Sequence, residues 1–450
     1  MKTKILTELF PLSNADDLII IKIDEIQSNI RFANNNVTSS GLVNGSSYTF
    51  ISIVKGKVGA YSVEGIKTKA DAIEAIRKSE EIADKNGVAE NVDELYRGEK
   101  KDILLEFDPE ESGLDLADKI KRILASLPDT MNAGFAEAKD YMLTLMTSSG
   151  IVKQYRDGYA NLSITARSLA GDMSVWHGAG AHSSKGIDEK DMVEMIQRDL
   201  KNMENKVVKP AGRYEVILAP YAVCDMLMYL VWMSSLRDAD EGRSMFSKFK
   251  DGTLQGSLIG EKLFPENISL LSSTADSLPF LTAAGSSAYA SVFDNGLPLK
   301  DVAWIKNGVL KNLITTRKYA KEKYDTEPSL MPSTFSMPGS NKDVSQLIKE
   351  TEHGLLVNTL WYIRLVDPMT GLLTGLTRDG VFVIENGEII GSTNNFRFNV
   401  SPLEMLKNTI DMSKSITTIP REFADGDTSL YTLPYLKVKD FNMSSVSEAI

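Results

Sequence analysis

Soft metal donors are scarce in this 450-residue chain: it has one cysteine, Cys224, and three histidines, His177, His182 and His353. A lone cysteine excludes an intramolecular disulfide framework and suits a reducing compartment. No HExxH motif places two histidines on one helix face, and no thiol or carboxylate accompanies the pair in HGAGAH, 177–182. Nucleophile and phosphate motifs are missing too. There is no G-x-S-x-G elbow. GTLQGSLIG, 252–260, spaces its glycines by four and lacks the Lys-Ser/Thr ending of a phosphate loop. Long apolar runs are absent. The most apolar stretch, Val223 to Met233, is broken by Asp225, whereas a membrane span needs about 20 apolar residues. The opening MKTKILTELFPLSNADD has too short an apolar stretch for a signal peptide. A cytoplasmic protein without a membrane segment is expected, so Asn-x-Ser triplets such as those at Asn44 and Asn161 carry no glycosylation meaning.

Positive charge is also short. The net charge is −11 and the pI about 5.1, whereas proteins that bind duplex DNA carry a basic patch or a high pI. The densest basic piece, Arg317 to Lys323, is interleaved with Glu322 and aromatic residues. Direct nucleic-acid binding is not expected.

What is present is ordinary globular material, with 42% hydrophobic and 25% charged residues. Such a length suggests two or three domains. From Asp17 to Tyr61 the chain is rich in Ile, Val, Thr, Tyr and Phe and reads as strands. Lys67 to Asn86 changes to a helical period. Helices are expected over Leu114–Leu127, Thr130–Glu137 and Asp188–Asn205. A hairpin-rich sheet is expected between the last two, with turns at Ser149-Gly150 and Asp157-Gly158. Lys206–Gly212, with Pro210 and Gly212, is the expected boundary between a domain of residues 1–205 and one of residues 206–450. Beyond it, YEVILAP reads as a strand and Tyr221–Leu236 as a helix, apolar nearly all round and therefore buried. A hairpin turns at Asn307-Gly308. An antiparallel meander follows, with turns at DPMTG, RDG and ENGE, then a last helix over Pro402–Asp411. Strands and helices run in separate blocks. The fold class is therefore α+β: two mixed domains with largely antiparallel sheets.

Reactive residues are few. His177 and His182 read as loop histidines. Cys224 lies inside the apolar helix, where cysteines are usually inert. Asp238, Asp240 and Glu241 read as the solvated exit of a helix, although such a cluster can hold a divalent cation. Residue chemistry alone offers no catalytic centre.

Four stretches resemble the TldD/PmbA family of peptidase-related proteins. They are SSGIVKQYRDGYANLSITARS, the segment from DSLPFLTAAG to LITTRKYA, PSLMPSTFSMPGS, and HGLLVNTLWYIRLVDPMTGLLTGLTRDGVFVIENGEIIG. The last agrees in spacing and turn residues over some forty positions. The resemblance implies a peptidase of two related subunits. One, TldD, carries zinc on an H-E-x-x-x-H helix with a downstream cysteine. The other, PmbA or TldE, lacks those ligands. Aligned by the strand YEVILAP, Met228 and Met233 fall where the two histidines would be and Tyr229 where the glutamate would be. Thioethers are poor zinc ligands, and a phenol with a pKa near 10 is a poor base at neutral pH. The resemblance therefore implies a non-catalytic subunit without metal or cofactor. It would pair with a TldD-like chain or with itself as a dimer and help to hold an extended peptide. Gly354, Leu355, Leu356 and Val357 are the expected peptide-gripping edge. A stand-alone hydrolase using His177, His182 and the Asp238–Glu241 cluster, or a regulatory binding protein such as a gyrase modulator, are the alternatives.

Overall fold

The computed structural model describes residues 2–98, 105–111, 114–171, 173–275, 277–423 and 429–448. After a short helix α1 (Thr3–Leu6), three long strands form a meander: β1 (Asp17–Ala33), β2 (Asn36–Val54) and β3 (Lys57–Glu64). Helices α2 (Lys69–Lys85) and α3 (Ala117–Ala125) follow, then β4 (Thr130–Thr147), β5 (Val152–Ser168), β6 (Ser174–Ala181) and α4 (Glu189–Met203). The six strands make one antiparallel sheet in the order β3-β2-β1-β4-β5-β6. Alternation in β1 sorts its side chains between two faces. Leu18, Ile20, Ile26, Ile30 and Phe32 pack towards the helices, whereas Ile19 joins Ile51, Ile53, Leu145 and Phe293 on the other side. Helix α2 starts at a capping box, in which the Thr68 hydroxyl accepts from Asp71 N–H and the Asp71 carboxylate accepts from Thr68 N–H.

Two expectations fail in this sheet. Thr130–Glu137 is not a helix but the start of β4. Its Ala and Glu residues favour a helix, yet β4 lies in the middle of the sheet. It is paired with β1 from Gly134 to Thr147 and with β5 from Thr130 to Met146. Two ladders outweigh a weak local propensity. Asp157-Gly158 is not a turn either, since β5 runs straight through it. Gly158 is needed there for space, because a Cβ would lie 2.4 Å from the His182 carbonyl oxygen. His177 also lies in a strand, β6, and not in a loop.

The rest of the chain begins with β7 (Gly212–Leu218), α5 (Pro220–Trp232) and α6 (Leu236–Asp240). Small pieces follow: the hairpin β8 (Ser247–Lys250) and β9 (Thr253–Ser257), then the three-stranded β10 (Leu270–Ser272), β11 (Val302–Lys306) and β12 (Val309–Leu310). Asn307 and Gly308, both at positive φ, make the expected turn between the last two. Helices α7 (Arg317–Tyr324) and α8 (Val344–Lys349) lead into β13 (His353–Asp367), β14 (Leu372–Glu385), β15 (Glu388–Ser392) and β16 (Asn395–Val400). Helix α9 (Pro402–Lys407), β17 (Thr409–Met412), β18 (Ile416–Thr418), β19 (Tyr431–Leu433) and β20 (Leu436–Ser447) complete the chain. Pairings among β13, β7, β20, β16 and β14 close a ring, antiparallel except between β13 and β7. The largest apolar core lies between these strands and α5.

The RDG segment is no turn. Strand β14 passes through Asp379 (φ 48°) and Gly380 (φ 129°), and the β13–β14 register shifts opposite them. That is a β-bulge. The last helix stops at Lys407, and Thr409–Met412 instead pairs with β20. Residues 206–211 connect α4 to β7, and α4 packs on β6 as well as on β14 and β15. The architecture is α+β with mostly antiparallel sheets.

Close backbone contact between β3 and α2 makes Gly59 indispensable. An added Cβ would sit 2.2 Å from both Ser79 O and Ala83 N. Gly59→Ala is expected to destabilise by about 2 kcal/mol, seen as a lower thermal midpoint. Gly87→Ala, with nothing within 4 Å, serves as the neutral control.

Candidate functional site

Helix α5 starts with Pro220 at its first position, where the missing N–H costs nothing. Its side chains are buried on nearly all sides, and the only charged one is Asp225. Asp225 Oδ1 accepts from the backbone N–H of Arg421 and of Glu422, each at 3.0 Å. Among the described residues its Oδ2 has no hydrogen-bond partner. Burial pushes the Asp225 carboxyl well above the usual range, with the Glu422 charge adding to it, and the two N–H donors offset only part. Burial therefore disfavours the ionised form of this group.

One turn on, Tyr229 donates its hydroxyl to the Ile363 carbonyl of β13 at 2.8 Å. Burial, then the Glu422 charge, raises its pKa. Tyr229, Trp232 and Phe423 form an aromatic cluster with centroid distances of 4.9 to 6.0 Å. The two residues that Asp225 anchors reach in opposite directions. The Arg421 guanidinium lies between the rings of Trp176 (4.8 Å) and Trp361 (4.5 Å). It also stands 3.7 Å from the buried Asp379 carboxylate. Glu422 accepts from Tyr362 N–H at 2.6 Å and pairs with Arg364 at 3.2 Å. Tyr362 is exposed and has φ 53°, a conformation that side chains larger than Gly or Asn rarely adopt. Trp176 belongs to β6 and meets Tyr221 of α5 edge-on at 5.0 Å, and the Tyr221 hydroxyl donates to Gly178 O. Elements from both sheets therefore converge on one face of α5. Beside it lies a groove of about 590 Å³, lined in part by Gly180, Ala181 and His182 from β6 and its exit, and by Ser336, Thr417 and Thr432 opposite.

Of the residues expected here, Tyr229 faces this cluster. Met228 is buried in the large core, and Met233 is the partly buried C-terminal cap. The expected gripping edge is not open. Leu355–Val357 pairs with β7 on one side, and Gly354–Val357 pairs with β14 on the other. All four residues are buried, and an interior strand has no free donors to offer a peptide. The three histidines are separated, each with its own carboxylate: His177 with Asp199 at 3.0 Å, His182 with Asp157 at 3.2 Å and His353 with Glu385 at 2.6 Å. Asp199 is buried, which opposes ionisation, yet His177 and Arg198 hold its pKa below the usual value. Asp238 and Glu241 pair with Arg243, while Asp240 accepts from the hydroxyls of Tyr319 and Tyr324. Sequence reasoning missed Trp176, Trp361, Arg421 and Glu422. Asp225, a lone charge in an apolar helix, was the one signal that could have led to them.

A model of the PmbA/TldA metallopeptidase C-terminal domain matches residues 211–445, more than half of the chain. The chain belongs to the PmbA/TldD family. No curated protein matches it in sequence. Among solved structures it is similar to TldE from Thermococcus kodakarensis, with a TM-score of 0.76 at 16% identity, over 97% of this chain and 99% of that one. A Thermotoga maritima protein described as a candidate modulator of a DNA gyrase gives 0.70 at 15% identity, covering 98% and 99%. A Bacteroides thetaiotaomicron protein described in similar words gives 0.70 at 16% identity, covering 98% of each chain. At these identities the likeness shows the fold alone. The PmbA/TldD fold is thus present along the whole length, whereas the donor set on α5 does not fit a zinc ion. Met228 and Met233 are thioethers, Tyr229 is a phenol engaged with a carbonyl, and Asp225 is a single buried carboxyl engaged with two N–H groups. Among the described residues no three of His, Cys, Asp and Glu come together as a metal site. No helix of the described residues is long and apolar enough to cross a membrane.

The raised pKa of Asp225 gives a signed pH dependence. Its folded pKa is raised above the unfolded value of about 3.9. Its contribution to stability is therefore complete below that pH and is lost as pH rises through the folded pKa. Asp225→Asn, which keeps one acceptor and no titration, should gain on the wild type as pH increases. Thermal midpoints of both proteins from pH 5 to 8.5 read this, and parallel curves would exclude a neutral acid. Asp225→Ala, which strands two N–H groups, should cost about 1–3 kcal/mol.

Proposed function

We propose that this chain is the PmbA/TldE-like, non-catalytic subunit of a TldD-type zinc peptidase, and that it helps to hold an extended peptide for cleavage by its partner. One observation carries the reading. The α5 face that would hold the metal in a catalytic relative is instead closed by Tyr229, Trp232 and Phe423 and pinned by Asp225. Tyr229 is harder to ionise than a free phenol because burial raises its pKa, so less phenolate is present at neutral pH to act as a base.

The peptide-holding part of the proposal moves from Gly354–Val357 to β6. Among the described residues β6 has β5 as its only strand partner, and its last residues, Ala179–Ala181, are not buried, so this end is the part offered to an extended peptide. That edge borders the 590 Å³ groove, whose small and hydroxyl-bearing walls leave room for a backbone. Arg421, held between Trp176 and Trp361, stands at the same junction as a cation able to meet a peptide carbonyl or carboxylate.

Co-expression with a TldD-like chain carrying an intact H-E-x-x-x-H helix is the test. The complex should cleave peptides in a chelator-sensitive way, this chain alone should not, and Arg421→Ala should raise KM at least several-fold. Equal hydrolysis by the partner alone, or stoichiometric zinc in this chain purified alone, would overturn the proposal.

A further inference from the structure

Where β6 ends, the 590 Å³ groove meets a second cavity of about 410 Å³, and His182 and Ser183 line both. The wall between them is fixed. His182 Nδ1 lies 3.2 Å from Asp157 Oδ1, and Asp157 Oδ2 accepts from the Tyr155 hydroxyl at 3.0 Å. Arg156 lines the second cavity. Its Nε and Nη2 donate to the two oxygens of Asp140 at 3.0 and 2.7 Å, and its guanidinium lies 5.6 Å from the centre of the Phe107 ring. Asp140 is buried, so this fork holds the guanidinium from below. The Arg156 side chain is nevertheless 39% exposed, and among the described residues its Nη1 has no partner. Lys185, exposed on the same cavity, has no carboxylate partner among them either. The nearby buried and half-buried carboxylates are already engaged. Asp140 holds Arg156 and the Glu110 N–H, and Asp157 holds His182, Tyr155 and the Gly158 N–H. The one other carboxylate, that of Glu110, points into solvent 3.8 Å from Arg156. Cationic donors are therefore left over on this wall.

We propose that this second cavity receives the C-terminal carboxylate of a peptide lying in the groove, with Arg156 and Lys185 as its donors. The inference rests on the peptide-holding reading given above and adds an end preference and a direction to it. A guanidinium already locked by one carboxylate loses little freedom on meeting a second, and Nη1 brings two further N–H groups to it. Direction follows from charge. Strand β6 runs towards His182. A strand added parallel to it brings its carboxylate to Arg156 and Lys185, whereas an antiparallel strand brings an ammonium to the same two cations.

The test measures binding of short N-terminally labelled peptides to the full chain by fluorescence anisotropy. Their other side chains carry no charge. The peptide with a free C-terminal carboxylate should bind about tenfold tighter than the same peptide ending in an amide. A third peptide, amidated but with Glu as its last residue, separates a terminal carboxylate from an acidic side chain and should bind like the amide. Arg156→Lys with Lys185→Gln should bring the free acid down to the amide and leave the amide unchanged. Lysine keeps a cation for Asp140, and Lys185→Gln alone, at an exposed position, should narrow the gap in a fully folded protein. A photo-cross-linker on the last peptide residue should label the segment 182–186, and one on the first residue should not. Equal binding of acid and amide, tight binding of the Glu peptide, variants that keep the full preference, or labelling from the first residue would each overturn this site and leave the holding role standing. No binding by any of the three peptides would overturn both.

Discussion

The junction between the two sheets depends on one buried carboxyl. Asp225 sits inside a helix that is otherwise apolar, and its Oδ1 takes the N–H groups of Arg421 and Glu422. Two donors meeting one oxygen offset part of the cost of burying this group, and burial shifts it towards its neutral form. Those two hydrogen bonds orient consecutive side chains in different directions. Arg421 goes to the tryptophans of β6 and β13, and Glu422 to Tyr362 and Arg364. The strained φ of Tyr362 belongs to this arrangement, since its N–H is the group that Glu422 holds.

Strand-forming stretches were legible where the apolar pattern was strong, as in β1, and so was the buried α5. Failures have specific causes. Residues 130–137 include the helix formers Met131, Ala133, Ala136 and Glu137, and only pairing with β5, joined by β1 from Gly134, makes them a strand. Four of the Asp-Gly and Asn-Gly pairs carry the same local signal to three different outcomes. Asn307-Gly308 and Asn386-Gly387 turn the chain, Asp379-Gly380 makes a bulge, and Asp157-Gly158 is plain strand in which the glycine only clears the His182 carbonyl. A dipeptide sets which backbone angles are allowed, while register with the next strand decides how they are used.

The candidate site was half legible for a related reason. Helix α5 follows from sequence because its apolar pattern is local, whereas Met228, Tyr229 and Met233 were picked out by the family resemblance. The residues that close the helix face, Trp176, Trp361, Arg421 and Glu422, lie 45 or more positions away on either side, and no spacing rule connects them to it. The gripping edge failed for topological reasons. Gly354–Val357 reads as an apolar strand, but alternation says nothing about whether a strand is interior, and here β7 arrives from a distant part of the chain to cover it.

Edges then become the quantity that decides what each sheet can do. The ring around α5 closes through β13, β7, β20, β16 and β14, so those strands are largely used up internally. In the six-stranded sheet the outer part of β2 and the strand β6 lack a second strand partner among the described residues, although Ser174–Gly178 of β6 are buried. They lie at the same level, because Ala160 of β5 aligns through Ala138 and Ser28 with Leu42. Four strand spacings, about 19 Å, separate them. The two margins differ. The β2 edge is long, uncharged and exposed on both faces. The β6 edge is short and faces a groove, with an arginine held at its end by two indole rings, suited to a single extended strand whose ends carry charge.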